Sequence, residues 1–95
     1  MLHDRLMRRD RSLDAAYYSI TLSMPLSEVT KLMKSAGKRS HEFHLGQPGG
    51  FEFEYAAAAR SGAAYFVSWD NGFDWVYTVA FDFEDRAIYK AQGGT

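Results

Sequence analysis

The chain has no cysteine, two prolines and three histidines among its 95 residues. Without cysteine there are no disulfides and no thiolate nucleophiles, although this leaves the redox compartment open. No apolar run approaches the ~20 residues that a membrane helix needs. No secretory leader opens the chain, because Met1 to Arg11 is dense in Arg and Asp. As it stands the chain reads as cytoplasmic. It reads as a cell-envelope domain, with membrane contact, only if it was cut from a longer exported or anchored protein.

Catalytic signatures are equally scarce. There is no G-x-S-x-G elbow to activate a serine. Pro48-Gly49-Gly50 is followed by neither Lys-Ser/Thr nor a helix start, so it is not a phosphate cradle. His41-Glu42-Phe43-His44 has the residue types of a metal site, but zinc takes three or four fixed ligands. Only His3 remains elsewhere. The stretch reads as a polar loop, with no metal and no cofactor. The chain is not expected to be an enzyme.

Charge is unevenly spread. Residues 1–40 hold eight Lys/Arg against four Asp/Glu, and residues 41–85 hold one basic residue, Arg60, against eight acids. An acidic C-terminal half disfavours nucleic acid, whose affinity comes largely from phosphate neutralisation. It suits a basic protein surface. Glu52, Glu54, Asp70 and Asp74 are the candidate partner-binding residues on this reading.

Aromatics are abundant at 16%, enough to give a small chain a sizeable core. Residues 1–11 form a charged N-terminal segment, and residues 12–95 read as a single domain. Ser12 caps a short helix from Leu13 to about Ser19. Pro25 fits the first turn of a second helix, whose stripe is Leu26, Val29, Leu32, Met33 and Ala36. Gly37 is its natural stop. Residues 40–50 read as a loop.

Thereafter the period becomes two. Phe51, Phe53 and Tyr55 alternate with Glu52 and Glu54, and similar alternation runs through Tyr65–Trp69 and Trp75–Phe83. A short last strand covers Ala87 to Ala91. Parity favours a five-residue loop from Asp70 to Asp74 that pairs Trp69 with Trp75, over a tight turn at Asn71-Gly72. In the last hairpin one register buries Ala87 and Tyr89 and the other buries Ile88. The sum is an α+β fold: two N-terminal helices packed on one face of a four-stranded antiparallel β-meander, with the other face wet.

Ile20-Thr21-Leu22-Ser23-Met24-Pro25-Leu26-Ser27-Glu28-Val29 resembles the I-x-x-G-M-[ST]-x-x-E-V helix start of the small protein A (SmpA/BamE-type) outer-membrane assembly lipoproteins. The wider group of domains with the β-lactamase-inhibitor-protein fold shares that pattern. Trp75 to Lys90 is similar to the group's last hairpin, which ends in F-D-x-x-G-[RK]-[VI]. The likeness spans about residues 12–91. Ser23 and Asp85 stand where the family has Gly, Pro25 stands where it has Ser or Thr, and the lipoprotein cysteine is missing. The resemblance implies a helix–helix–meander fold and a non-catalytic protein-interaction module, often of the bacterial envelope. The alternative is a small-ligand or lipid-binding domain with a pocket between helices and sheet.

Overall fold

A computed structural model describes residues 11–94 apart from Pro48 and Phe73. The expected N-terminal segment 1–11 therefore lies outside the described residues, save for the backbone of Arg11. The α+β architecture is as expected, with two N-terminal helices and a four-stranded antiparallel sheet in the order β1-β2-β3-β4.

Helix α1 (Arg11–Ser19) packs against the sheet. Its Asp14 accepts a hydrogen bond from the Tyr77 hydroxyl, and Ala16 and Tyr17 are buried beneath it. The link that follows is fixed by backbone. Ser23 N–H donates to the Ala87 carbonyl at 2.7 Å, and Ala87 N–H donates to the Met24 carbonyl at 2.9 Å. Ser23 sits at φ +79° and Asp85 at φ +61°. These are the two positions at which the resemblance expects Gly.

Helix α2 (Leu26–Met33) buries Val29 and Met33, four residues apart on one face. It stops earlier than expected. Lys34, not Gly37, takes the left-handed cap at φ +65°, and its N–H reaches the Thr30 carbonyl at 2.8 Å. Gly37 serves a different end. It lies at φ +70°, and a Cβ there would fall 2.7 Å from the Trp69 indole and from Val67. Only glycine allows the chain to turn so close over Trp69.

The first strand is β1 (Lys38–Ser40), which was not expected and overlaps the expected loop 40–50 only at Ser40. The expected strand at Phe51–Tyr55 is instead helix α3 (Glu52–Ala59). The four consecutive alanines, Ala56–Ala59, are the strongest helix formers in the chain. Phe51, Tyr55 and Ala58 face inward at helical spacing, while Phe53 is 76% exposed. A strand would have buried Phe53 with its neighbours.

Strands β2 (Tyr65–Asp70), β3 (Trp75–Phe81) and β4 (Ala87–Gly94) complete the sheet. Parity assigns the faces of β2 and β3 correctly, but the register is two residues from the expected one. Trp69 pairs with Tyr77, and Trp75 pairs with Gly94. Asn71 explains the shift. Its Oδ1 accepts from the N–H groups of Asp74 and Trp75, at 3.0 and 3.1 Å, and its own N–H donates to the Trp75 carbonyl. That turn chemistry outweighs stacking the two indoles.

The last hairpin follows neither of its expected registers throughout. Phe81 pairs with Ala87, but Ala80 pairs with Tyr89, so Ile88 is an extra residue in β4. Ala87 joins the core under α1 and α2, while Ile88 and Tyr89 face the other way.

That other face is not wet, which corrects the two-layer expectation. Helix α3 and residues 43–45 cover it. Ala58, Phe66 and Ala80 form a second core with Phe43, Ala63, Ile88 and Tyr89. The Phe43 ring stands edge-on to Tyr55 at 4.9 Å and to Phe66 at 5.7 Å. The sheet therefore lies between two helical layers.

The two indoles should separate in a stability measurement. Trp69 is 4% exposed and donates its N–H to the Ser35 carbonyl at 3.0 Å, whereas Trp75 is half-buried. Urea unfolding is expected to show Trp69→Ala losing ~3–5 kcal/mol and Trp75→Ala ~1–2 kcal/mol. Ser23→Gly should gain about 1 kcal/mol, since a non-glycine residue in the left-handed region carries roughly that strain.

Candidate functional site

Strand β4 is one edge of the sheet and eight residues long. Only its first residue is covered on the outer side, where Ala87 bonds to Ser23 and Met24. From Ile88 to Gly94 the outer main chain has no strand beside it among the described residues. At ~3.3 Å per residue this outer side is about 23 Å long, although Ala91, Gly93 and Gly94 within it are buried and Ile88, Tyr89, Lys90 and Gln92 are half-buried. The opposite edge, β1, has three residues.

Apolar side chains rim the open edge. Tyr18 emerges from the end of α1 at 65% exposure, and its hydroxyl accepts from Gln92 Nε2 at 2.6 Å. Leu22 is 58% exposed, one residue before the Ser23 contact to β4. On the other face Tyr89 lies half-buried in the second core, and the Phe51 ring fills the space above Gly93. A Cβ on Gly93 would meet that ring at 2.7 Å.

Lys90 occupies the middle of the edge. The extra residue Ile88 turns Lys90 toward the helices, opposite Val79. Its ammonium donates to the Tyr17 carbonyl at 2.7 Å and lies 4.4 Å from the centre of the Tyr17 ring. Burial lowers the Lys90 pKa below its ordinary value. Burial also pushes the Tyr17 hydroxyl up to about 12. An inward-turned charge on an edge strand discourages pairing with an identical edge, because two such charges would be buried together. Next to Lys90, Gln92 Oε1 accepts from the Trp75 indole N–H at 2.9 Å, so the row is rigidly held.

The four acids singled out in the sequence do not share a strand face. Glu52 and Glu54 lie in the first turn of α3, where negative charge suits the helix dipole. Glu52 also accepts from Gly50 N–H at 3.3 Å. Glu54 sits near Tyr89, whose hydroxyl pKa is raised by burial first and by that carboxylate second. Asp70 and Asp74 belong to the β2–β3 turn. Asp70 accepts from Gly72 N–H at 2.7 Å, and Asp74 accepts from Asn71 Nδ2 at 3.2 Å. Glu52, Asp70 and Asp74 thus accept local hydrogen bonds.

His41 and His44 are both exposed. Among the described residues no three His, Asp or Glu side chains gather as metal ligands. No helix among them is long and apolar enough to cross a membrane. Lys90, Gln92 and Tyr18 were missed as a group in the sequence. One signal was visible: basic Arg86 and Lys90 follow a long acidic stretch.

No family model matches the chain, and neither does any curated protein or solved structure.

Lys90→Met should keep the fold, with a melting temperature within a few degrees of the parent. It should also promote self-association through the edge, read as a dimer by sedimentation velocity. A variant that stays monomeric at high concentration would mean that Lys90 guards nothing.

Proposed function

We propose that this chain is a non-catalytic protein-binding module that receives an extended, acidic segment of a partner along the outer edge of β4. The observation that carries the reading is the outer side of β4 from Ile88 to Gly94, which has no strand beside it among the described residues and is rimmed by exposed Tyr18 and Leu22. Strand addition uses such edges: main-chain bonds supply affinity, and alternate side chains supply specificity.

The charge of the segment follows from the strand. Arg86 and Lys90 are the charged residues of 86–94, and both are basic. Adding a strand removes water from Lys90, whose charged form burial already disfavours. An acid on the incoming strand, opposite Lys90 on the helix side, offsets that loss. A second copy of this chain would bring another lysine instead. The acidic surface expected to meet a basic partner is the weaker choice, since Glu52, Asp70 and Asp74 accept local hydrogen bonds and Glu54 sits in the first turn of α3 near Tyr89. An envelope setting, as the resemblance implies, belongs to the same proposal.

A short acetylated peptide, Thr-Val-Glu-Val-Thr, tests the reading by amide NMR. Shifts and slowed hydrogen exchange along residues 88–94 are expected. Replacing the central Glu by Lys should weaken binding about tenfold at low salt and less at high salt. N-methylation of alternate peptide bonds should abolish it. Shifts confined to Glu52, Glu54, Asp70 and Asp74, or equal binding of the N-methylated peptide, would overturn the proposal.

A further inference from the structure

A second site lies on the face of the sheet away from α1 and α2, and it is independent of the β4 edge. Register places Lys38, Ser68, Thr78 and Ala91 in one row across all four strands. Neighbouring strands sit ~4.8 Å apart, so the ammonium and the two hydroxyls form a line of polar groups. The Thr78 side chain is buried, and its hydroxyl donates to the His44 carbonyl at 2.6 Å. That bond holds residues 42–44 above the sheet as a wall. Between wall and sheet a cleft of about 270 Å³ remains, with Phe43 and Phe66 among its lining.

The polar groups of the row are unequal. Thr78 is committed to the wall. Ser68 is half-buried, and neither its hydroxyl nor the exposed Lys38 ammonium has a hydrogen bond or ion pair among the described residues. The cleft therefore offers one cation and one free hydroxyl beside two aromatic rings. Its lining is as polar as it is apolar, with Lys38, Ser40, Glu42, His44, Ser68 and Thr78 around the two rings, which suits a small ligand that joins a charged end to an apolar body. Of these, Glu42 opposes an anion more strongly the more negative charge the anion carries.

We infer that the cleft between residues 42–44 and the β1–β2 face binds a small monocarboxylate with an apolar body. The carboxylate lies against Lys38 and Ser68, through charge-assisted bonds stronger than neutral ones. The apolar body packs against the exposed side of the touching Phe43 and Phe66 rings. Single charge distinguishes this ligand from a doubly charged phosphate ester, which Glu42 repels more strongly. The main helix–sheet interface does not compete for the ligand, because Tyr77, Val79, Phe81 and their neighbours fill it.

Phenylacetate is the probe. Titrated into the labelled protein, it should shift the amides of Lys38, Ser68 and Thr78, with a dissociation constant of about a millimolar, as ten heavy atoms at modest efficiency allow. Phenylacetamide, the same shape without charge, should bind about tenfold more weakly. Phenyl phosphate should also be weaker, and Glu42→Gln should recover it. Lys38→Met should lose about tenfold of phenylacetate affinity with an unchanged melting temperature, since Lys38 is exposed. Equal binding of the amide, an unaffected Lys38→Met, or shifts confined to β4 would each overturn the inference. The peptide titration at β4 would be untouched by any of them.

Discussion

A single extra residue in β4 governs which side chains meet the helices. Up to Ala87 the strand alternates one way, and from Tyr89 onward it alternates the other. Without Ile88 in excess, Tyr89 would lie opposite Val79 under α1, and Lys90 would fall among Phe43 and its neighbours. A one-residue slip exchanges the two faces of a strand, and here the bulge makes that exchange midway. It gives Ala87 to the main core and Tyr89 to the second. It also carries Lys90 to the Tyr17 carbonyl and Gln92 to a point where it bridges Trp75 and Tyr18. The properties of the open edge follow from this shift, because it turns a charge inward where an unguarded strand would present only Ile, Tyr, Ala and Gly.

Covering both faces of a four-stranded sheet asks much of so short a chain. The solution is to place α3 in the connection between β1 and β2, where a meander would use a tight turn. The helix is short, and much of its anchoring comes through Phe51, Tyr55 and Ala58. The Tyr55 hydroxyl accepts from Leu45 N–H at 3.2 Å, which ties helix to loop. Loop and helix together bury Leu45 completely. The cleft beside Thr78 is the part of this second layer that the cover leaves open.

Strands β2 to β4 and the first two helices were readable in the residues; β1 and the second layer were not. Val29 and Met33 announce α2 by spacing, and the odd-numbered aromatics of β2 and β3 announce the main core by alternation. Phe51 to Tyr55 carries two signals at once. Its alternation of apolar and acidic residues fits a strand, and its four-residue spacing from Phe51 to Tyr55 fits a helix. The following alanines could have broken the tie, because they have little to bury in a strand and high helix propensity. Strand β1 had no side-chain signal, since Lys38, Arg39 and Ser40 are all exposed. Backbone pairing holds it, along with the Arg39 guanidinium 3.7 Å above the Tyr65 ring. The open edge was illegible for a related reason: which strand ends a sheet depends on what long-range pairing leaves unpaired.

The α3 insertion also orders assembly in time. Strands β2, β3 and β4 are joined by short turns, so their contacts are close in sequence and cost little loop entropy to close. Joining β1 to β2 requires enclosing residues 41–64 first, and loop closure grows costlier with the length enclosed. The three-stranded hairpin unit is thus the expected nucleus, with β1 docking late and offering the weakest protection to its amides. Lys38 stands on that late strand. The cleft it lines is then a property of the finished fold alone, while the open edge of β4 already exists in the nucleus, exposed to whatever strand reaches it first.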